Sequence, residues 1–290
     1  VRYAVHLHAH GALADPRLLV DLAVAAEDAG WDGAFVNDHL GAAGGPEPRD
    51  RQPVANPWIV AAAMATATRR VRLGPMVAAL PRRRPWQVAG EAVTLDHLSA
   101  GRLTLGVGSG TGLEQSFAPF GEDLDSAARA AALDESLEVI GRLWSGEPVT
   151  HRGARYRIEG AVALPRPVQT PRIPIWVAGT WPHRRPFRRA VRWDGVFVDT
   201  EGLDWLKGEI VPAEAVAAAV RYLRARRPEG AATPFDVVIG GRSPPDRARA
   251  AGRLAPYAAA GLTWWVEGIA PAVGPPPDLL ALVRRGPPRP

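Results

Sequence analysis

The feature that most limits what this chain can fold into is an alternation repeated eight times. A short apolar run is followed by a longer stretch with helical spacing, across 290 residues. Successive parallel strands need a crossover that returns the chain to the same end of the sheet, and a helix is the usual crossover. Eight such units close into a (β/α)8 barrel, and a barrel of roughly 250 residues fits this length as one α/β domain over residues 1–290.

The pattern predicts strands over Arg2–Leu7, Gly33–Val36, Val71–Val77, Leu103–Val107, Ile173–Ala178, Gly195–Val198, Phe235–Ile239 and Leu262–Val266. Helices are predicted from Pro16 to about Ala29 and over Pro57–Thr68, Pro85–Leu98, Pro186–Trp193, Pro212–Arg224, Asp246–Ala260 and Pro277–Arg284. Asp15 before Pro16 reads as an N-cap, and Gly30 as the stop of that first helix. Between the fourth and fifth strands an insert carries a helix over Ser126–Trp144, with Leu133, Leu137, Ile140 and Trp144 at helical spacing. A hairpin over Val149–Ile158 follows, turning at Arg152-Gly153. The loop Asn37–Asn56 is long and rich in Gly and Pro, and the tail Gly286–Pro290 is expected to fray.

Composition removes several function classes. The chain has no cysteine, which excludes disulfides, thiolate metal sites and cysteine nucleophiles. No apolar run approaches the roughly 18 residues of a membrane span, and Val1–His10 is too polar for a signal peptide, so a cytoplasmic protein is expected. The net charge is +5, but Lys207 is the only lysine, so arginine carries nearly all the positive charge, as in a GC-rich genome. No basic stripe interleaves with aromatics, and nucleic acid is not an expected partner.

In such barrels the working face lies at the C-terminal ends of the strands. After the fourth predicted strand comes Gly106-Val107-Gly108-Ser109-Gly110-Thr111-Gly112, where glycines let backbone approach a ligand. The run fits neither a dinucleotide fingerprint nor a phosphate-binding P-loop. After the fifth strand, Gly179-Thr180-Trp181 leads to Arg184-Arg185 and a helix start, an arrangement suited to an anion. Arg82-Arg83-Arg84 follows the third strand on the same face. Each arginine cluster reads equally well as solvated surface.

His39 follows Asp38 at the end of the second strand, where an imidazole beside a carboxylate suits proton transfer near neutral pH. His6 and His8 point the same way at the end of the first strand and, with Thr111, Trp265 and Glu267, are expected to line a substrate pocket. His6-x-His8 also opens the pattern of metal-dependent amidohydrolases. That pattern needs a lysine after the fourth strand and histidines after the fifth and sixth; here Lys207 is the only lysine and the sixth strand ends in Val198-Asp199-Thr200. No metal site is expected.

Several segments, in order and at fixed spacing, resemble the luciferase-like monooxygenases. They include Glu27-Asp28-Ala29-Gly30-Trp31-Asp32, Asn37-Asp38-His39, Leu95-Asp96-His97-Leu98-Ser99-Ala100-Gly101-Arg102, Leu143-Trp144-Ser145-Gly146 and Ile175-Trp176-Val177-Ala178-Gly179. The resemblance implies a flavin-dependent oxidoreductase acting on a small organic substrate. Its cofactor would be FMN, reduced by a separate reductase, or the deazaflavin coenzyme F-420, and the protein a homodimer. His39 with Asp38 would carry proton transfer. Gly108, Ser109 and Gly110, with Gly179, Thr180, Trp181, Arg184 and Arg185, would hold the cofactor. A non-prolyl cis peptide at Met76–Val77 would lie behind its ring, and Trp31, Trp181 and Trp265 would shield the cavity. Deazaflavin-dependent sugar-phosphate dehydrogenases of this family carry a glutamate where this sequence has Thr111, so that acid role is missing here. A metal-dependent amidohydrolase-like hydrolase on the same barrel and a flavin-binding relative without turnover are the remaining alternatives.

Overall fold

The computed structural model describes residues 1–40, 52–203, 209–227, 234–271 and 274–289, without the side chains of residues 114, 115 and 247. Most of the long loop after the second strand therefore lies outside the described residues, as does Lys207.

The strands are β1 (Arg2–Leu7), β2 (Gly33–Val36), β3 (Arg72–Pro75), β4 (Ala78–Ala79), β5 (Leu105–Gly108), β6 (Val149–Arg152), β7 (Arg157–Ala161), β8 (Ile175–Trp181), β9 (Gly195–Thr200), β10 (Asp236–Gly241) and β11 (Trp264–Ile269). Nine of them form one parallel sheet in the order β3-β2-β1-β11-β10-β9-β8-β5-β4, and β6 and β7 pair as a separate antiparallel hairpin. The two ends of the nine-strand order are halves of a single barrel strand, interrupted at Met76–Val77, whose peptide bond is cis as expected. The seam is closed by a parallel bridge between Leu73 and Leu103. There the Leu73 amide donates to the Arg102 carbonyl at 3.2 Å and the Thr104 amide to the Leu73 carbonyl at 2.9 Å. The result is an eight-stranded barrel, the predicted architecture.

The helices are α1 (Pro16–Asp28), α2 (Pro57–Ala67), α3 (Pro85–Leu98), α4 (Leu113–Ser116), α5 (Ser126–Leu143), α6 (Arg184–Ala190), α7 (Ala213–Arg224), α8 (Arg247–Ala260) and α9 (Pro276–Arg284). Side-chain oxygens cap four of them. Asp15 accepts from the Arg17 amide, Asn56 from Trp58 and Ile59, Asp125 from Ala128, and Asp246 from Arg249. Each cap satisfies an amide that the first helical turn leaves without a partner.

Barrel strands are buried on both faces, so alternate residues serve two different cores. Ala4, Phe35, Met76, Trp176, Val238, Trp264 and Val266 fill the barrel interior. Their aromatic rings interlock, Phe35 to Trp176 at 5.4 Å and Trp176 to Trp264 at 5.3 Å. The intervening residues, among them Val5, Leu7, Val196 and Trp265, pack in the larger core shared with the helices.

Four strands run further toward the barrel mouth than the apolar pattern indicates, to Trp181, Thr200, Gly241 and Ile269. The added residues include glycines and polar residues, of which Gly179, Thr180 and Asp199 line a cavity, so they carry the backbone ladder without the hydrophobic signal. At the other end the tail is docked. Arg289 reaches the Gly30 carbonyl and the Asp32 carboxylate, each at 2.9 Å, and Pro287 and Pro288 are buried.

Candidate active site

The C-terminal ends of the strands enclose a cavity of about 670 Å³. It brings together most of the residues singled out from the sequence: His6, His8, Asp38 and His39; Met76 and Val77; Gly108, Ser109, Gly110 and Thr111; and Gly179, Thr180, Arg184 and Arg185. They converge because Ala4, His6 and His8 share the inward parity of β1 and its continuation, as the parallel register of Ala4 with Val266 and His6 with Gly268 requires.

Three imidazoles dominate one wall. The His6 and His8 rings meet edge to face with centroids 4.7 Å apart. His6 Nε2 lies 2.6 Å from the Met76 carbonyl. A carbonyl only accepts, so this contact assigns the His6 proton to Nε2. Burial lowers the pKa of His6 to about 4, and burial together with the neighbouring imidazoles holds His8 well below the ordinary histidine value. His39 is also lowered, first by burial and then by His10 and Arg82, which Asp38 opposes only in part. All three are neutral at neutral pH. Among the described residues no group of three or more His, Cys, Asp or Glu side chains is arranged to hold a metal ion.

Asp38 has a different place from the one its neighbour suggests. Its side chain is fully buried and its oxygens are taken by cations of the next strand end. Arg82 and Arg83 each reach Oδ1 at 2.9 Å, the Ala79 amide donates to Oδ2 at 3.3 Å, and Arg82 also donates to the Asp38 carbonyl at 2.7 Å. The carboxylate thus anchors two arginines rather than presenting itself as a partner for His39. The same geometry explains Arg82 and Arg83, which share the single Asp38 carboxylate.

Two glycines have reasons other than a ligand. Gly110 has φ +93°, and a Cβ there would overlap the Phe117 ring. At Gly179 a Cβ would stand 2.8 Å from the Pro186 side chain and 3.2 Å from Phe187, so this glycine lets α6 pack tightly on β8. Thr180, Arg184 and Arg185 remain open to the cavity. Arg184 lies over the Trp181 ring at 4.0 Å, and neither Arg184 nor Arg185 has a carboxylate partner among the described residues.

Three tryptophans and a glutamate expected near the site lie elsewhere. Trp181 packs against Phe187 and Tyr222, outside the cavity lining. Trp265 and Glu267 have outward parity on β11: both are buried, with Trp265 Nε1 donating to Glu267 at 2.9 Å and the Ser243 amide to the same carboxyl. Their inward neighbours are Trp264 and Val266. Trp31, expected to shield the site, precedes β2 and so sits at the opposite end of the barrel, where Nε1 donates to the Val283 carbonyl.

One cavity residue escapes sequence reasoning. Asp199 faces the cavity from β9, in register with Thr180, on the wall opposite β2. Burial raises its pKa, only partly offset by the Thr200 amide that donates to it. The signal for it was the alternation Phe197-x-Asp199, once β9 is taken two residues beyond its apolar run.

The family model described as luciferase-like monooxygenase matches residues 2–221. An F420-dependent glucose-6-phosphate dehydrogenase of Nakamurella multipartita is 36% identical over 191 residues, covering 64% of this chain and 53% of its own length. A 4-hydroxyprotoasukamycin monooxygenase of Streptomyces nodosus subsp. asukaensis is 36% identical over 160 residues, covering 55% of this chain and 40% of its own. The chain thus spans about half the length of these relatives. Among solved structures, an F420-dependent tetrahydromethanopterin reductase of Methanopyrus kandleri has a TM-score of 0.74 at 18% identity, covering 99% of this chain and 98% of its own. A monooxygenase of Streptomyces bottropensis has a TM-score of 0.75 at 21% identity, with 98% and 97% covered. These two structures share the barrel.

Proposed function

Because the chain belongs to the luciferase-like monooxygenase family, whose cofactors are flavins or F420, we propose that it is an oxidoreductase acting on a small organic substrate at the barrel mouth. The observation that carries this reading is one cavity that joins His39, the Met76–Val77 turn and two arginines with no carboxylate partner among the described residues. Its volume of about 670 Å³ lies within the roughly 300–1,000 Å³ of small-molecule sites. The lining fits a heterocycle with a phosphate. Val77, Gly108 and Ala178 offer an apolar wall, and Thr180, Arg184 and Arg185 offer donors for an anion.

When bound, the cofactor supplies hydride or oxygen chemistry. The protein's part is proton handling and orientation. His39, neutral because it is buried, is suited to accept a proton from a substrate hydroxyl. His6 holds the Met76 carbonyl in place, and Asp38 holds Arg82 and Arg83 at the rim.

Relatives named as F420-dependent dehydrogenases favour hydride transfer with the deazaflavin. The monooxygenase relative favours the second reading, FMN chemistry supplied by a separate reductase. A sugar phosphate is the less favoured substrate, because Thr111 stands where the deazaflavin-dependent sugar-phosphate dehydrogenases of the family carry a glutamate.

The test is titration of purified protein with FMN and with the deazaflavin, oxidised and reduced, followed by fluorescence. Hydride transfer is then read as loss of deazaflavin absorbance on adding alcohols and uncharged sugars. Tight deazaflavin binding with turnover supports the first reading, and FMN preference supports the second. Binding without turnover would indicate a flavin carrier. Binding of neither overturns the proposal.

A further inference from the structure

We infer that Asn37 and Asp199 orient the substrate from opposite walls of the mouth cavity. Asn37 donates to the oxygen at the reacting end, and Asp199 accepts from a hydroxyl or ammonium group at the far end. The inference rests on the oxidoreductase reading above and gives its site a substrate class, alcohols that carry a second hydrogen-bond donor.

The two residues occupy matching places on facing strands. β9 is four strands from β2 in either direction round the barrel, so their mouth ends face each other across the cavity. On each strand an inward phenylalanine precedes the polar residue by two positions. Phe35 fills the barrel interior and Phe197 packs against it; Asn37 and Asp199, with the same parity, line the cavity above them. The ladder holds both in place: the Asn37 amide donates to the Leu7 carbonyl at 3.2 Å, and Asp199 lies in register with Thr180.

Asn37 is 5% exposed, and one side of its carboxamide is already used. Oδ1 accepts from the Ala9 amide at 2.7 Å, which fixes the orientation of the group and leaves Nδ2 as a donor. No acceptor among the described residues reaches Nδ2. A buried donor without an acceptor is disfavoured, and a ligand oxygen in the cavity satisfies it.

Asp199 is the complement. The lining carries two carboxyls, and Asp38 is taken by Arg82 and Arg83. Asp199 Oδ1 accepts from the Thr200 amide at 2.8 Å, while Oδ2 has no donor, and the group no cation, among the described residues. Burial raises its pKa for the same reason, since the charged form lacks a partner. A hydroxyl or an ammonium group supplies one. His39 lines the cavity on the β2 side with Asn37, so a hydroxyl held by Nδ2 is presented to the imidazole while the far donor points to β9.

The experiment is calorimetric titration of the full chain, saturated with whichever of FMN and the deazaflavin it binds, with short straight-chain alcohols of graded length. The far carbon of each carries hydrogen, hydroxyl, ammonium or carboxylate. The expected result, at the best length, is binding about tenfold tighter with hydroxyl or ammonium than with hydrogen. Asp199→Asn still accepts from the Thr200 amide but offers a donor in place of Oδ2. It should erase that preference and leave the plain alcohols unaffected. Asn37→Asp keeps the Ala9 contact and loses the donor, so it should weaken every alcohol and keep the far-end preference. Thiols of the same length, whose sulfur is a weak acceptor, give the Asn37 readout without a substitution and should bind less tightly than the alcohols. Circular dichroism checks that both variants fold. Preference for ammonium over hydroxyl assigns an amino alcohol, and the reverse assigns a diol or polyol. Equal affinity for all far ends, a preference for carboxylate, thiols that match the alcohols, or a preference that survives Asp199→Asn overturns the inference while the cofactor reading stands. Binding of neither FMN nor the deazaflavin overturns that reading, and the inference with it.

Discussion

His6 donates its Nε2 proton to the main-chain carbonyl of Met76 across 2.6 Å, joining the first barrel strand to the turn that interrupts the third. The bond fixes both the tautomer and the ring, because the other nitrogen is then the acceptor of a neutral imidazole.

This makes acid stability sensitive to His6. Burial holds the folded-state pKa at about 4, below the ordinary 6.5. Between those values the unfolded chain binds more protons, so stability is full above about pH 6.5 and falls as pH drops toward about 4. A shift of that size corresponds to at most about 3 kcal/mol. Urea unfolding of His6→Gln, which keeps a donor for Met76 without a titrating ring, should show a shallower decline over that window. An unchanged slope would remove His6 from the acid response.

Asp38→Ala should behave as a stability mutant. It strips the partner from Arg82, whose side chain is 1% exposed, and an uncompensated buried charge of this kind costs about 3–5 kcal/mol. A lowered unfolding midpoint is expected. A normal midpoint with lost turnover would return Asp38 to the catalytic role its position beside His39 suggests.

His39→Ala should leave cofactor affinity nearly intact and lower turnover by about 10²- to 10⁴-fold, the usual contribution of a positioned general acid or base. Because burial lowers the pKa of His39, the acid limb of the rate profile should lie below the ordinary histidine value. A limb at or above that value would point to a different group.

Asp199→Asn is expected to stabilise the fold at neutral pH, since burial raises the pKa of this carboxyl and so penalises its charged form. The sign follows from linkage: the folded state holds its proton more tightly, so stability declines as pH rises through the range between the two pKa values. The variant should lose that decline. If Asp199 contacts substrate, kcat/KM should also fall by about tenfold or more. Reduced stability at pH 7 would refute the account of its environment.

Gly110→Ala should be destabilising by about 1–3 kcal/mol, because its methyl group would overlap the Phe117 ring. Thermal unfolding of Gly110→Ala with and without Phe117→Leu separates the two contributors. Relief by the second change identifies the ring contact, and persistence identifies the backbone at φ +93°.

Much of the barrel was legible in the chain itself. The alternation of apolar runs and helical spacing located every barrel strand, and Asp15 before Pro16 marked a helix start that the structure reproduces. Residues after strand ends were drawn to the right face, so His6, His8 and His39 meet in one cavity. These features depend on local hydrogen bonding and on periodicity, both of which are written in neighbouring residues.

What needed the tertiary structure was orientation and partnership. In Trp264-Trp265-Val266 every residue is apolar because both faces of a barrel strand are buried, so the sequence cannot say which tryptophan faces inward; register with β1 decides it. Asp38 stands next to His39 in the chain, yet two arginines more than forty residues away take its oxygens. Asp199 became a cavity residue only when β8 extended β9 beyond its apolar run. The chain's own pattern determined where each element begins and which end of the barrel would work. Which side chains face the cavity, and which charges are already satisfied, was decided by contacts between strands distant in sequence.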